Sequence, residues 1–318
     1  MKRLFVLLVA FALAGCSQYA GAPTAVAPSV ALAPGAEPDV AFGIYVSIRY
    51  GLSIFGFQPV NRANDPPFCF LLGVASYNIA VDGNGNLFAP DFLHDQIYVF
   101  RGPGMCGPGV KSIVDPYGPP TDAAGPDALH GTFVVVHTTG FTSGSPGGAE
   151  LCSLSAGCTQ PLAGSAEHLV GGVVMANNGD CWESALTKAH KAKIIYFQAC
   201  SKAGVAASNF ANASQGGLDI DDAGNLVAIS ARDAKLYVYR GCDPACTRIG
   251  GPFRLRGAPF YGHLNQTSTR LAVADTRNGL VDIYAYSPKR VRFLYSFGKG
   301  LTGSQVVSGI AFNPRSRE

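Results

Sequence analysis

Charge is scarce in this sequence. Asp, Glu, Lys and Arg make up 14% of the 318 residues, against about 25% in an ordinary soluble domain. Lys plus Arg number 24 and Asp plus Glu 21; setting aside Lys2 and Arg3 leaves 22 − 21, a net charge of +1. So weak a field excludes nucleic acid as a partner. Long apolar runs are lacking too: past the N-terminus no stretch has the roughly 18 residues that a transmembrane helix needs. Helical periodicity is nearly absent. Only residues 185–193 (ALTKAHKAK) have any helical character, and they read as a hairpin loop. There is no glycine-rich phosphate loop with its lysine. Gly-Ser-Pro-Gly at 144–147 is no nucleophile elbow, because G-x-S-x-G in a strand–turn–helix setting is missing.

What the chain does have is apolar surface and glycine. Hydrophobic residues reach 47% and glycines number 39, enough to bury a large core and to exclude disorder over most of the length. The N-terminus reads as an address. Met1-Lys2-Arg3 is a basic start, and residues 4–12 (LFVLLVAFA) are too short to span a bilayer. Leu13-Ala14-Gly15-Cys16 follows and resembles a bacterial lipobox, so residues 1–15 are expected to be a lipoprotein signal peptide and Cys16 the lipidated residue. Ser17 in place of aspartate implies sorting to the outer membrane. Acyl chains contribute about 0.8 kcal/mol per buried methylene, so two or three hold a protein firmly at a membrane. Residues 16–40 are Ala/Pro-rich and predict an extended spacer, because proline lacks the amide donor that strands and helices use.

Nine cysteines less the lipidated one leave eight, an even set suited to an oxidising compartment. Cys242/Cys246 and Cys152/Cys158 predict turns closed by their own bridges, and Cys181/Cys200 a bridge between neighbouring strand-like segments. Cys69 and Cys106 remain as the fourth pair. No second Cys or His pair stands at zinc-ligand spacing, so disulfides are expected rather than metal.

Self-similarity is the strongest signal. NIAVDGNGNLFAPDFLHDQIYVFRG from Asn78 aligns with GLDIDDAGNLVAISARDAKLYVYRG from Gly217. In each, a strand-like run, a Gly-Asn turn, a second β-rich run, a polar turn and an alternating run follow in order. The frame recurs at Gly131, Gly172, Gly262 and Gly309, giving starts at 78, 131, 172, 217, 262 and 309. Four short strands per 40–50 residues is the arithmetic of a β-propeller blade. Residues 43–47, 52–57 and 68–72 match second, third and fourth strands with no first, while residues 309–313 match a first strand with no successors. Joined, they make one blade and leave no open sheet edge. The expectation is an all-β, six-bladed β-propeller over residues 41–318, closed by pairing of the C-terminal strand with the N-terminal blade.

These repeats, with Leu271-AVADTRNGLVDIY, are similar to NHL repeats and to gluconolactonase-like six-bladed propellers. The resemblance is weakest in the units at 131 and 172. It implies fold more firmly than activity, because propellers host unrelated functions. Gluconolactonase-like enzymes hold a divalent cation with a glutamate, an asparagine and an aspartate around the channel. No ligand carries over residue by residue, because the glutamates Glu37, Glu150, Glu167, Glu183 and Glu318 miss the starts of first strands, Glu167 alone lying in a loop before one.

Candidate binding residues sit where loops enter the innermost strands: Tyr77, Asn78, His130, His168, Gln215, His263, Asn265 and Ser308. Their offsets within the repeat differ, so convergence of the histidines on a metal is not expected, and no metal or cofactor is assigned. Asp82-Gly-Asn84-Gly-Asn86 resembles the opening of a calcium loop, but Leu93 stands where the closing glutamate belongs. A hairpin turn with Asx bonds is the better reading. Asp91, Asp275, Ser47 and Ser230 share a frame position and are expected to accept backbone amides in the turn between second and third strands. Third-strand aromatics (Tyr98, Phe100, Tyr196, Phe197, Tyr237, Tyr239, Tyr284 and Tyr286) are expected to fill the layers between blades, and Lys289 to Arg292 to form a solvated turn. The function these observations lead to is a lipid-anchored binding or scaffold module for an envelope protein, peptide or glycan. The alternative is a divalent-metal-dependent, lactonase-like hydrolase or lyase at the channel mouth.

Overall fold

The computed structural model describes residues 29–32, 43–48, 53–57, 67, 69–101, 109–125, 131–138, 146–201, 203–210, 216–298, 301 and 306–313. Cys16, Cys106, His130 and Gln215 lie outside this set, as does the side chain of Cys69. The described residues form six antiparallel sheets and a single 3-10 turn at Gln198–Cys200. No helix among them is long and apolar enough to cross a membrane.

The sheets are blades, each counted outward from the axis. Blade 1 joins the chain ends: Val307–Phe312 is innermost, followed by Ile44–Ile48, Ser53–Phe57 and Cys69–Leu72. Blade 2 runs Ala80–Val81, Leu87–Asp91, Gln96–Phe100 and Gly109–Val114, and blade 3 Pro120–Ala124, Thr132–His137, Gly148–Ser153 and Gly157–Pro161. Blade 4 runs Leu169–Met175, Cys181–Leu186, Ala192–Phe197 and Val205–Ala206. Blade 5 runs Leu218–Ile220, Leu226–Ser230, Lys235–Arg240 and Thr247–Arg254, and blade 6 Pro259–Leu264, Arg270–Asp275, Leu280–Ser287 and Arg290–Phe297.

Closure follows the expected pairing of the C-terminal strand with the N-terminal blade, with Ile44 opposite Phe312, Val46 opposite Ile310 and Ser47 opposite Gly309. Six apolar clusters fill the six junctions between blades. The last is built from Val281, Ile283 and Phe297 of blade 6 against Val46, Phe57 and Ile310 of blade 1, so the ring has no apolar gap. The third-strand aromatics do what the alternation predicts: Phe100, Phe197, Tyr239 and Tyr284 are fully buried.

Two expectations about strands are corrected. Gly131 does not open a blade. Residues 132–137 form the second strand of blade 3, and the innermost strand is Pro120–Ala124. The Ala/Pro segment is not wholly an extended spacer, since Ser29–Leu32 pairs antiparallel with Cys69–Leu72 as a fifth, outermost strand of blade 1. This four-residue window is free of proline, between Pro28 and Pro34, so its amides can complete a ladder. Ser47 accepts the Gly309 amide at 2.9 Å, on the closing seam; residues 49–52, the turn that follows it, lie outside the described residues.

The Asx-turn readings match the structure, whereas Arg290–Arg292 begin the outermost strand of blade 6 and leave Lys289 alone of that cluster in the turn. Asp91 accepts the Leu93 amide at 3.1 Å and Asp275 the Arg277 amide at 3.1 Å. Asp82 accepts the amides of Asn84 and Asn86 at 2.9 and 2.8 Å, an Asx turn that Asp221 repeats with Ala223 and Asn225. Residues 185–193 are the end of one strand, a turn and the start of the next. Disulfides join Cys152 to Cys158, Cys181 to Cys200 and Cys242 to Cys246.

Candidate functional site at the propeller axis

Where the six innermost strands come closest, four blades present glycine: Gly172, Gly217, Gly262 and Gly309. Close approach requires it. A methyl group on Gly172 would lie 3.2 Å from Gly217 Cα, and one on Gly309 would lie 2.5 Å from Asn78 Cα. Blades 2 and 3 break the pattern with polar side chains, Asn78 and Asp122. Both are almost fully buried, at 1% exposure each. Asn78 Nδ2 donates to Asp122 Oδ1 at 2.9 Å, and Asp122 also accepts the amides of Ala123 (2.8 Å) and Val173 (3.0 Å). His263, on blade 6, reaches across the channel and brings Nε2 to 3.3 Å from Asn78 Nδ2. Its Nδ1 lies 3.4 Å from Asp219 Oδ2 on blade 5, and Asp219 accepts the Leu264 amide at 2.6 Å. Four blades thus contribute one linked polar plug.

The electrostatics follow from burial. Desolvation pushes the Asp122 carboxyl up to about 6, against the opposing pull of His263 and the bonded amides. Burial alone would lower the His263 imidazole, but the hydrogen bond and charge of Asp219, with the charge of Asp122, carry it above its ordinary value. The two carboxylates thus favour protonation of the ring, while the Asn78 amide nitrogen, a donor facing Nε2, favours the neutral ring that accepts from it.

Above the plug, where the innermost strands end and turn outward, lies a basin of about 490 Å³. Its lining includes Asp82, Asp219, Asp221, Asp222, Asn177 and Asn265, and, among the described residues, no lysine or arginine. Asp82 and Asp221 are committed to their Asx turns, and Asp221 also accepts the Tyr286 hydroxyl at 3.0 Å. Asp219 is half-buried and held by the amides of Ile220 (2.7 Å) and Leu264 (2.6 Å), and Asp222 is exposed, so solvent reaches both carboxylates, Asp222 most fully.

Of the residues singled out in the sequence, the structure brings Asn78 and His263 together at the axis. Asn265 is at the basin rim, where its Oδ1 accepts the amides of Thr269 and Arg270 at 2.9 and 2.8 Å. Tyr77 packs on Phe92 with ring centroids 4.6 Å apart. His168 stands beside His190, at 6.0 Å. Ser308 donates to the Ser76 carbonyl at 3.0 Å, in the closing seam. Asp122 and Asp219 escaped the sequence reading. The signal for Asp122 was its separation of 44 residues from Asn78, one blade length.

The cation site implied by the gluconolactonase-like resemblance is met in part only. An asparagine and an aspartate do meet at the axis, but Asn78 turns its amide nitrogen to Asp122. No glutamate among the described residues stands on an innermost strand. Glu150 lies on the third strand of blade 3, Glu183 on the second of blade 4, and Glu167 pairs with Lys193 before blade 4. These residues do not fit that ligand set.

No protein-family model matches the sequence, and no curated protein does. Among solved structures, a chain of the nidogen/laminin complex superposes with a TM-score of 0.65 at 12% identity, over 86% of this chain and 98% of that one. A functionally unknown protein from Desulfotomaculum acetoxidans superposes with a TM-score of 0.56 at 13% identity, over 85% of this chain and 84% of that one. The likeness is one of fold.

Proposed function

We propose that this chain is a lipid-anchored, non-catalytic binding propeller of the bacterial outer membrane, related to NHL-repeat propellers, whose basin takes a cationic segment of a protein or peptide. The observation that carries the reading is the basin itself. Asp219 and Asp222 face solvent in a concave mouth lined, among the described residues, by no lysine or arginine, and low-dielectric walls focus such a field on an incoming cation. The floor is occupied by hydrogen-bonded side chains, which suits recognition of a chain laid across the mouth. The fold neighbour from the nidogen/laminin complex is a propeller found in a protein–protein assembly, in keeping with such a role. The hydrolase alternative is not adopted, because no glutamate among the described residues stands at the axis.

Titration with fluorescent lysine-rich and glutamate-rich peptides tests the binding. The lysine-rich peptide is expected to bind, with affinity falling as salt shortens the Debye length from about 10 Å at 0.1 M. An Asp219→Asn/Asp222→Asn double variant should lose most of that affinity. Equal binding of the acidic peptide, or an unaffected double variant, overturns the reading. Anchoring is tested separately by growth with a labelled palmitate analogue, which should mark the wild type and not Cys16→Ala. An unlabelled wild type, or label persisting on the variant, contradicts it.

A further inference from the structure

On the face opposite the basin, between blades 2 and 3, three residues far apart in sequence converge. Asp115 lies in the connection from the outer strand of blade 2 to the inner strand of blade 3, His137 ends the second strand of blade 3, and Glu150 lies in the third. The antiparallel register pairs His137 with Gly148, which places the histidine beside the start of the strand that carries Glu150. One ligand atom from each of the three lies within 4.8 Å of the others. His137 Nδ1 is 2.7 Å from Glu150 Oε2, and Asp115 Oδ1 accepts the Tyr117 amide at 2.9 Å. The Tyr117 ring stacks over the imidazole with centroids 6.5 Å apart.

A second observation sets this cluster apart from a structural acid pair. Asp115 is 2% and Glu150 0% exposed, yet Asp115 Oδ2 and Glu150 Oε1 have no hydrogen-bond partner among the described residues. A buried carboxylate oxygen left without a partner costs free energy; a proton shared between the two carboxyls relieves part of that cost, and a divalent cation relieves it at both oxygens while also engaging the imidazole. Bonds of about 2.0–2.2 Å to Zn²⁺ put tetrahedral ligands roughly 3.4 Å apart, a spacing the cluster accommodates. An imidazole with two carboxylates suits zinc and its first-row neighbours better than calcium or magnesium, which favour all-oxygen sets.

We propose that Asp115, His137 and Glu150 form a site for a divalent transition-metal ion of the zinc class, which pins the connection between blades 2 and 3 to the strand ends of blade 3. The site is separate from the basin and stands whether or not the basin binds a peptide.

Metal analysis of the exported, oxidised protein, dialysed and then loaded with zinc chloride alone, tests the proposal. The expected result is one zinc per chain, imidazole and oxygen ligands by X-ray absorption, and a melting temperature that rises with zinc and falls back with chelator. Glu150→Gln and Asp115→Asn, shown by circular dichroism to be folded, should weaken binding by more than the roughly 10–100-fold that loss of an outer partner costs. Should either variant unfold, the absorption spectrum of the wild type decides, because it must contain one histidine nitrogen. No retained zinc together with no thermal shift overturns the site, and so does undiminished binding by both folded variants.

Discussion

Asn78 and Asp122 occupy two of the positions at which other blades carry glycine, and that substitution turns a tight steric contact into a polar one. Protonation at the axis then has a definite sign. The Asp122 carboxyl is raised from 3.8 to about 6, so between those values the native state holds more protons than the unfolded chain and stability falls as pH rises. The raised His263 acts in the same direction: its contribution is complete below 6.5 and is lost as pH climbs through the folded value. The melting temperature should therefore drop as pH rises from about 4 to about 6, where Asp122 titrates, and drop further above 6.5 as His263 loses its proton, and Asp122→Asn should flatten the lower part of that slope. A variant with the wild-type slope would show that the axis does not titrate as described. At this scale Asn78 and His263 were legible, because each stands beside a recognisable repeat start. Asp115, His137 and Glu150 were not, because only strand register brings them together.

Among the elements, the innermost strands are the most constrained. A methyl on Gly216 would lie 2.1 Å from the Ile229 carbonyl oxygen and 3.1 Å from that of Phe260. Both are backbone atoms and cannot turn aside. Gly216→Ala should therefore cost about 1–3 kcal/mol, the usual range for overpacking, read as a lowered urea midpoint. An unchanged midpoint would mean that the start of blade 5 is not held against its own second strand and blade 6 as the contacts require. Blades 2 and 5 were readable because each has an Asp-x-x-Gly-Asn hairpin between inner and second strands. Blade 3 was misframed for a physical reason. Its inner strand, Pro-Thr-Asp-Ala-Ala, has no glycine and little β-branched character, whereas its second strand, Thr-Phe-Val-Val-Val-His, follows Gly131 and imitates a repeat start. The outermost strand Ser29–Leu32 was hidden by the prolines around it, which dominate the composition of the window but not its hydrogen bonding.

For the whole molecule, everything at the axis depends on the ring being closed by a strand that arrives last. Val307–Phe312 is buried along its entire length, supplies Val307, Ile310 and Phe312 to the junction with blade 6, and offers Ala311 to the junction with blade 2. Gly309 also lies against Asn78, so the plug is supported by the closing strand. Both halves of the shared blade were recognisable in the sequence because each lacked what the other held. The most direct measurement is equilibrium urea unfolding of a chain lacking residues 307–318. Without the closing strand, blade 1 loses its inner edge and two junctions open to water. The truncated protein should lose the single cooperative transition of the full chain or show it at much lower denaturant. A truncated chain that unfolds at the same midpoint with the same slope would contradict ring closure.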